Sequence, residues 1–136
     1  MLLVDTGPLV AAADRDDPHH KACLDLLQDD EGPLVTSPLV LAEAAYLLDR
    51  QLGPEAEAAL FDSVRDGSLQ VEDLVHSDWA RVSELVRRYG DMRLGGTDAS
   101  LVALAERLGV TRIATLNHRD FRVVRPRHTG AFELLP

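Results

Sequence analysis

MLLVDTGPLVAAA, Met1–Ala13, is the stretch that decides the fold. Leu2–Asp5 reads as a short strand with no polar face, the pattern of a strand covered on both sides. Gly7-Pro8 then opens a short helix, with proline tolerated in its first turn. A buried strand running directly into a helix is the unit of a parallel sheet with helices on both faces. In such sheets ligands collect at the carboxyl ends of the strands. Asp5, the only charge in the whole stretch, falls at that end.

The same pattern recurs along the chain. Leu34–Thr36 is a second buried strand, followed by Ser37-Pro38, an N-cap and N1 pair. The helix it starts runs to about Leu52 and stops at Gly53-Pro54. Helices are also expected over Pro18–Gln28, Glu55–Arg65 and Asp78–Tyr89, the last capped by Ser77. A further helix capped by Thr97 ends at Gly109. Leu69–Leu74 and Arg112–Leu116 read as strands, and Arg122–Arg125 and Phe132–Leu135 as edge strands. The alternation predicts one α/β domain over residues 1–136, with a central parallel sheet between helical layers.

Two more carboxylates share the peculiarity of Asp5. Glu43 is the only charge in Pro38–Leu48 (PLVLAEAAYLL), and Asp98 is the only charge between Leu94 and Ala105 (LGGTDASLVALA). Each alone has an ordinary explanation: a strand-end turn for Asp5, a favoured first-turn helix acid for Asp98, a solvated helix edge for Glu43. Together they require three separate accidents. Charges are rarely buried unless paired or bound to metal, and no Lys or Arg lies in these stretches. The Glu43 helix is apolar on nearly every side and reads as buried, with its carboxylate aimed into a cavity or at a cation. Gly95-Gly96 permits close approach of backbone to a ligand beside Asp98. A hard divalent ion suits such oxygen donors, and Mg²⁺ fits the ligand type. Carboxylates and a divalent ion together hydrolyse phosphodiesters, the ion shielding phosphate charge and activating water. Thr6 supplies a hydroxyl beside Asp5.

Composition narrows the partners. The net charge of −9 argues against nucleic acid in general, but its distribution is uneven. Residues 1–66 carry 14 acids and 4 bases, whereas residues 67–136 carry 9 acids and 10 bases. Six arginines between Arg107 and Arg127 face one acid, Asp120. They read either as a phosphate-binding patch or as a solvated surface. The lone Cys23 excludes an intrachain disulfide. The apolar runs are too short for a bilayer and no signal peptide is visible, so a soluble cytoplasmic chain without a membrane role is expected. His19, His20 and Cys23 do not complete a zinc set. Ser37 and Ser100 lack a partnered histidine, and no GxGxxG or P-loop is present. Trp79 reads as helix packing rather than a stacking platform, and His118 as a surface-loop residue near the site.

Four blocks in order, VDTGPLVA at Val4–Ala11, LAEAAYLL at Leu41–Leu48, GTDASLVALAERLG at Gly96–Gly109 and ATLNHRDF at Ala114–Phe121, resemble the PIN-domain ribonucleases. Within them the likeness is to the VapC-type toxins of toxin–antitoxin pairs, and it covers essentially the whole chain. It implies a three-layer α/β/α sandwich and a Mg²⁺- or Mn²⁺-dependent endoribonuclease. It also implies a homodimer neutralised by a cognate antitoxin. By motif position Asp5, Glu43 and Asp98 match the family's first three acids, as catalytic residues and metal ligands. Asn117 stands where a fourth acid is usual, which puts a second metal in question; Asp120 is a possible substitute that looks more like a turn residue. Two other readings stand beside this one. A catalytically weak RNA-binding or regulatory domain is favoured by Asn117. A phosphoester hydrolase with Asp5 as nucleophile lacks the second Asp such enzymes place two residues later.

Overall fold

The computed structural model describes all residues, 1–136. Five parallel strands form one sheet in the order β3-β2-β1-β4-β5. They are β1 (Leu2–Val4), β2 (Leu34–Thr36), β3 (Gln70–Val71), β4 (Arg112–Ala114) and β5 (Glu133–Leu135). Seven helices surround them: α1 (Thr6–Ala13), α2 (His20–Asp29), α3 (Pro38–Leu52), α4 (Pro54–Arg65), α5 (His76–Arg88), α6 (Gly96–Leu108) and α7 (His118–Val123). β1 is central, pairing Leu3 with Val35 on one side and with Ile113 on the other. The chain leaves β1 toward β2 and returns to β4, so the order reverses between β1 and β4, where open α/β sheets bind ligands.

The period of two along each strand divides the core. Leu3, Val35 and Ile113 face a cluster built with α5, α6 and the start of α3. Leu2, Val4 and Ala114 face the other way, against Leu9, Leu26 and Leu27 of α1 and α2. This is the expected three-layer sandwich. Seven consecutive residues of α6, Ala99–Ala105, are buried, so that helix is enclosed on nearly every side. An ionic network ties its solvent edge to α5. Arg81, itself buried, grips Glu106 with two hydrogen bonds of 2.7 and 2.9 Å. Buried Asp78 takes a 2.9 Å bond from Arg107.

Several boundaries differ from the sequence reading. α5 starts one residue before Ser77, and its first turn is capped by Asp78, which accepts from the Val75 N–H at 2.9 Å. Gly95, not Thr97, is the N-cap of α6. Arg122 lies in α7 and Arg125 beyond it, so no strand forms there; Phe121 is buried against the α6 side of the core and Arg122 exposed, a helical alternation. β3 is confined to Gln70–Val71. α3 is not enclosed either: Ala42, Glu43 and Tyr46 are exposed, with Tyr46 59% accessible. Tyr46, Leu52 and Phe61 leave an uncovered apolar surface on α3 and α4. No helix is long and apolar enough to cross a membrane.

Candidate functional site

Asp5 follows the last residue of β1 and is the N-cap of α1. Its Oδ1 accepts from the Thr6 N–H at 2.8 Å, and its Oδ2 accepts from the Thr115 hydroxyl at 2.7 Å. The register that pairs Val4 with Ala114 places Thr115 directly across from Asp5. Thr115 in turn accepts from the Asn117 N–H at 2.9 Å. The Asn117 side chain then donates from Nδ2 to Asp98 at 3.1 Å and to Asp120 at 2.9 Å. One turn of chain after β4 thus connects carboxylates from β1, α6 and α7. The Asn117 amide is the only donor between two anions, a role that an aspartate could not fill while ionised.

A cavity of about 450 Å³ opens over this network, lined by Asp5, Thr6, Gly7, Glu43, Leu47, Asp98, Leu116 and Asn117. All three lone acids of the sequence reading therefore meet at one place, together with Thr6 and Asn117. Their settings differ. Asp5 is 5% accessible and Asp98 is half-buried. Glu43 stands on the exposed side of α3, at the rim, and not on a buried helix as its apolar neighbours implied. Gly7 allows the start of α1 to approach the β4 loop: a Cβ there would sit 3.2 Å from the Leu116 side chain. Gly95 and Gly96, expected to serve that purpose, have no comparable close contact.

The electrostatics are those of crowded anions. Burial pushes the Asp98 carboxyl up to about 7, with Asp5, Asp120 and Glu43 adding repulsion and the Asn117 amide opposing it. Asp5 is raised as well, by burial first; its hydrogen bonds from Thr115 and Thr6 oppose the rise and Glu43 adds to it. The Thr6 hydroxyl is buried with no hydrogen-bond partner. Hard oxygen donors, mutual repulsion and an unpaired hydroxyl in one open cavity fit a divalent cation. No three His, Cys, Asp or Glu side chains form a ready-made cage.

The arginine-rich segment is largely engaged elsewhere. Arg107 pairs with Asp78 and Glu72, Arg112 with Asp30, and Arg127 with Glu84. Arg119, Arg122 and Arg125 remain exposed on and after α7, with Arg119 3.9 Å from Asp120. The phosphate-binding reading therefore contracts to three side chains. Asp120 is no plain turn residue, since its carboxylate belongs to the Asn117 network. The sequence reading missed Thr115, whose place inside ATLNHRDF is legible but whose role depends on the β1–β4 register. A second cavity, of about 430 Å³ between α1, α2, α3 and α4, is apolar and contains no charged side chain.

The family model described as PIN domain matches residues 2–125. Ribonuclease VapC26 of Mycobacterium tuberculosis is 32% identical over 135 residues, 99% of this chain and 100% of that protein. Among solved structures, M. tuberculosis VapC20, described as a Sarcin-Ricin loop cleaving toxin, superposes with a TM-score of 0.76. It is 24% identical, over 83% of this chain and 87% of its own. VapBC2 from Rickettsia felis, bound to a DNA fragment from their promoter, gives 0.68 at 19% identity over 99% and 98%. FitAcB from Neisseria gonorrhoeae gives 0.55 at 17% identity, over 100% and 97%. These three structures share the fold described above.

Proposed function

The chain belongs to the PIN-domain family, and on that footing we propose that it is a metal-dependent endoribonuclease, the toxin of a toxin–antitoxin pair. The observation that carries the reading is the meeting of Asp5, Glu43 and Asp98 in one open cavity at the carboxyl ends of β1 and β4. The similarity to Ribonuclease VapC26 supports RNA as the substrate.

Asp5 and Asp98 would hold Mg²⁺ or Mn²⁺, an ion that needs only one or two carboxylates, with Glu43 at the rim of the same cavity. When bound, the cation supplies positive charge to the scissile phosphate and lowers the pKa of water. The chain's own residues do the rest. Thr115 and the Thr6 N–H fix both oxygens of Asp5, so its carboxylate cannot rotate. Asn117 holds Asp98 and Asp120 side by side without adding charge. Asp98, whose carboxyl burial pushes up to about 7, would have to be deprotonated to hold the cation, so uptake would strengthen with rising pH. Exposed Arg119, Arg122 and Arg125 offer guanidinium groups to the phosphates of a bound strand.

A cognate antitoxin and a homodimer belong to the same proposal. The likeness to VapBC2 and FitAcB supports the first, and the uncovered Tyr46, Leu52 and Phe61 support assembly with a further chain. Asn117 favoured a catalytically weak domain in the sequence reading. Its two hydrogen bonds, and Asp120 beside Asp98, weaken that alternative. The test is cleavage of structured RNA with Mg²⁺, Mn²⁺ or a chelator. Cutting is expected only with metal, and not in Asp5→Ala or Asp98→Ala. Cutting that persists in both variants overturns the proposal.

A further inference from the structure

Two fully buried hydroxyls lie behind the acidic cavity. Ser37 caps α3, accepting from the Val40 N–H at 3.1 Å, and its Oγ lies 2.7 Å from Ser100 Oγ on α6. Ser100 donates to the Thr97 carbonyl at 2.6 Å. A hydroxyl has one proton to give. Ser100 spends its own on Thr97, so Ser37 must be the donor to Ser100. The result is a directed chain from Val40 N–H through Ser37 and Ser100 to the Thr97 carbonyl. Both serine hydroxyls are fully buried and both are satisfied within it. It joins the first turn of α3, the helix that carries Glu43, to the first turn of α6, which carries Asp98. The same two turns touch through Leu39, whose Cδ2 would lie 3.6 Å from a Cβ at Gly96.

We propose that Ser37 and Ser100 are positioning residues: their hydrogen-bonded clasp sets the spacing between Glu43 and Asp98 and so fixes the cavity's affinity for a divalent cation. The inference rests on the metal-dependent reading above. Neither serine touches the cation. Without the clasp, the starts of the two helices that carry the acids meet through packing such as Leu39 on Gly96, which tolerates sliding where a 2.7 Å bond does not. The acids repel each other, so slack between the helices is taken up as separation.

The test is Mn²⁺ binding by calorimetry on the purified chain, below its unfolding transition and without RNA. Ser100→Ala should bind Mn²⁺ about tenfold more weakly, in the range seen when residues orienting metal ligands are lost. Ser100→Cys retains a donor and acceptor at the position, with a weaker hydrogen bond from a somewhat larger atom. It should fall between wild type and Ser100→Ala, and it serves if the alanine variant does not fold. Val82→Ala, a core truncation on α5 away from the cavity, should unfold more easily yet bind Mn²⁺ as wild type does. A folded Ser100→Ala or Ser100→Cys with wild-type affinity overturns the clasp while leaving the metal site intact. Equal losses in Val82→Ala overturn it too, since affinity would then follow stability alone. A wild-type chain that takes up no Mn²⁺ overturns both the clasp and the reading beneath it.

Discussion

Removing the charge of Asp98 should make the metal-free protein more stable, by an amount set by pH. The Asp98 carboxyl is pushed up to about 7 by burial and by its acidic neighbours, against 3.8 for the free side chain. Between those values the folded chain binds more protons than the unfolded chain, so stability falls as pH rises. The favourable contribution is complete below about pH 4 and lost as pH climbs through about 7. The difference corresponds to about 4 kcal/mol; the side chain is partly wet, and screening reduces this to roughly 2–4 kcal/mol. Asp98→Asn keeps a carbonyl oxygen for the Asn117 amide and carries no charge. At pH 8 in chelator its melting midpoint should exceed wild type by roughly 5–15 °C, at a few degrees per kcal/mol for a chain of this length. At pH 4 the two should coincide. Millimolar Mg²⁺ should then raise the wild-type midpoint and leave the variant unmoved. Thermal unfolding across this pH range decides the matter. An Asp98→Asn protein no more stable than wild type at pH 8, or a gap that does not close toward pH 4, refutes the reasoning.

The other perturbations probe the network around it. Thr115→Val is nearly isosteric but strips a donor from buried Asp5 and an acceptor from the Asn117 N–H; urea titration should show a loss of about 2 kcal/mol or more, largely restored in Thr115→Ser. Asn117→Asp should tighten Mg²⁺ in a binding titration. The same change should destabilise the metal-free chain, because two hydrogen bonds become two repulsions; unchanged affinity removes Asn117 from the site. Arg81→Ala leaves the largely covered Glu106 carboxylate with only the Arg127 N–H and should cost about 3 kcal/mol in chemical denaturation, with no change in metal affinity if the ionic network is purely architectural.

The local grammar of strands and caps carried most of the fold. An apolar triplet ending in an acid, then Gly-Pro, located β1, Asp5 and α1; Ser37-Pro38 located α3 to the residue. Edges were harder to read. Arg122–Arg125 alternates as a strand would, but Phe121 and Val124 find their burial against α6 and the sheet through a helical turn. Glu43 shows the limit of composition: its helix is apolar in sequence, yet nothing within the chain covers the Ala42–Tyr46 face. The convergence of Asp5, Glu43 and Asp98 was foreseeable from their isolation in apolar runs. The wiring by Thr115 and Asn117 was not, because it depends on register between strands 110 residues apart. Three of the six arginines, Arg107, Arg112 and Arg127, leave the patch for the same reason: their partners, from Asp30 to Glu84, lie far off in sequence.

The most direct measurement is anomalous diffraction from a crystal of the protein equilibrated with Mn²⁺. A single strong peak, or a pair, within coordination distance of the Asp5 and Asp98 carboxylates and facing Glu43 is the expected result. A peak at some other surface, with the acidic cavity holding none, contradicts the view that these separated anions were brought together to hold a cation.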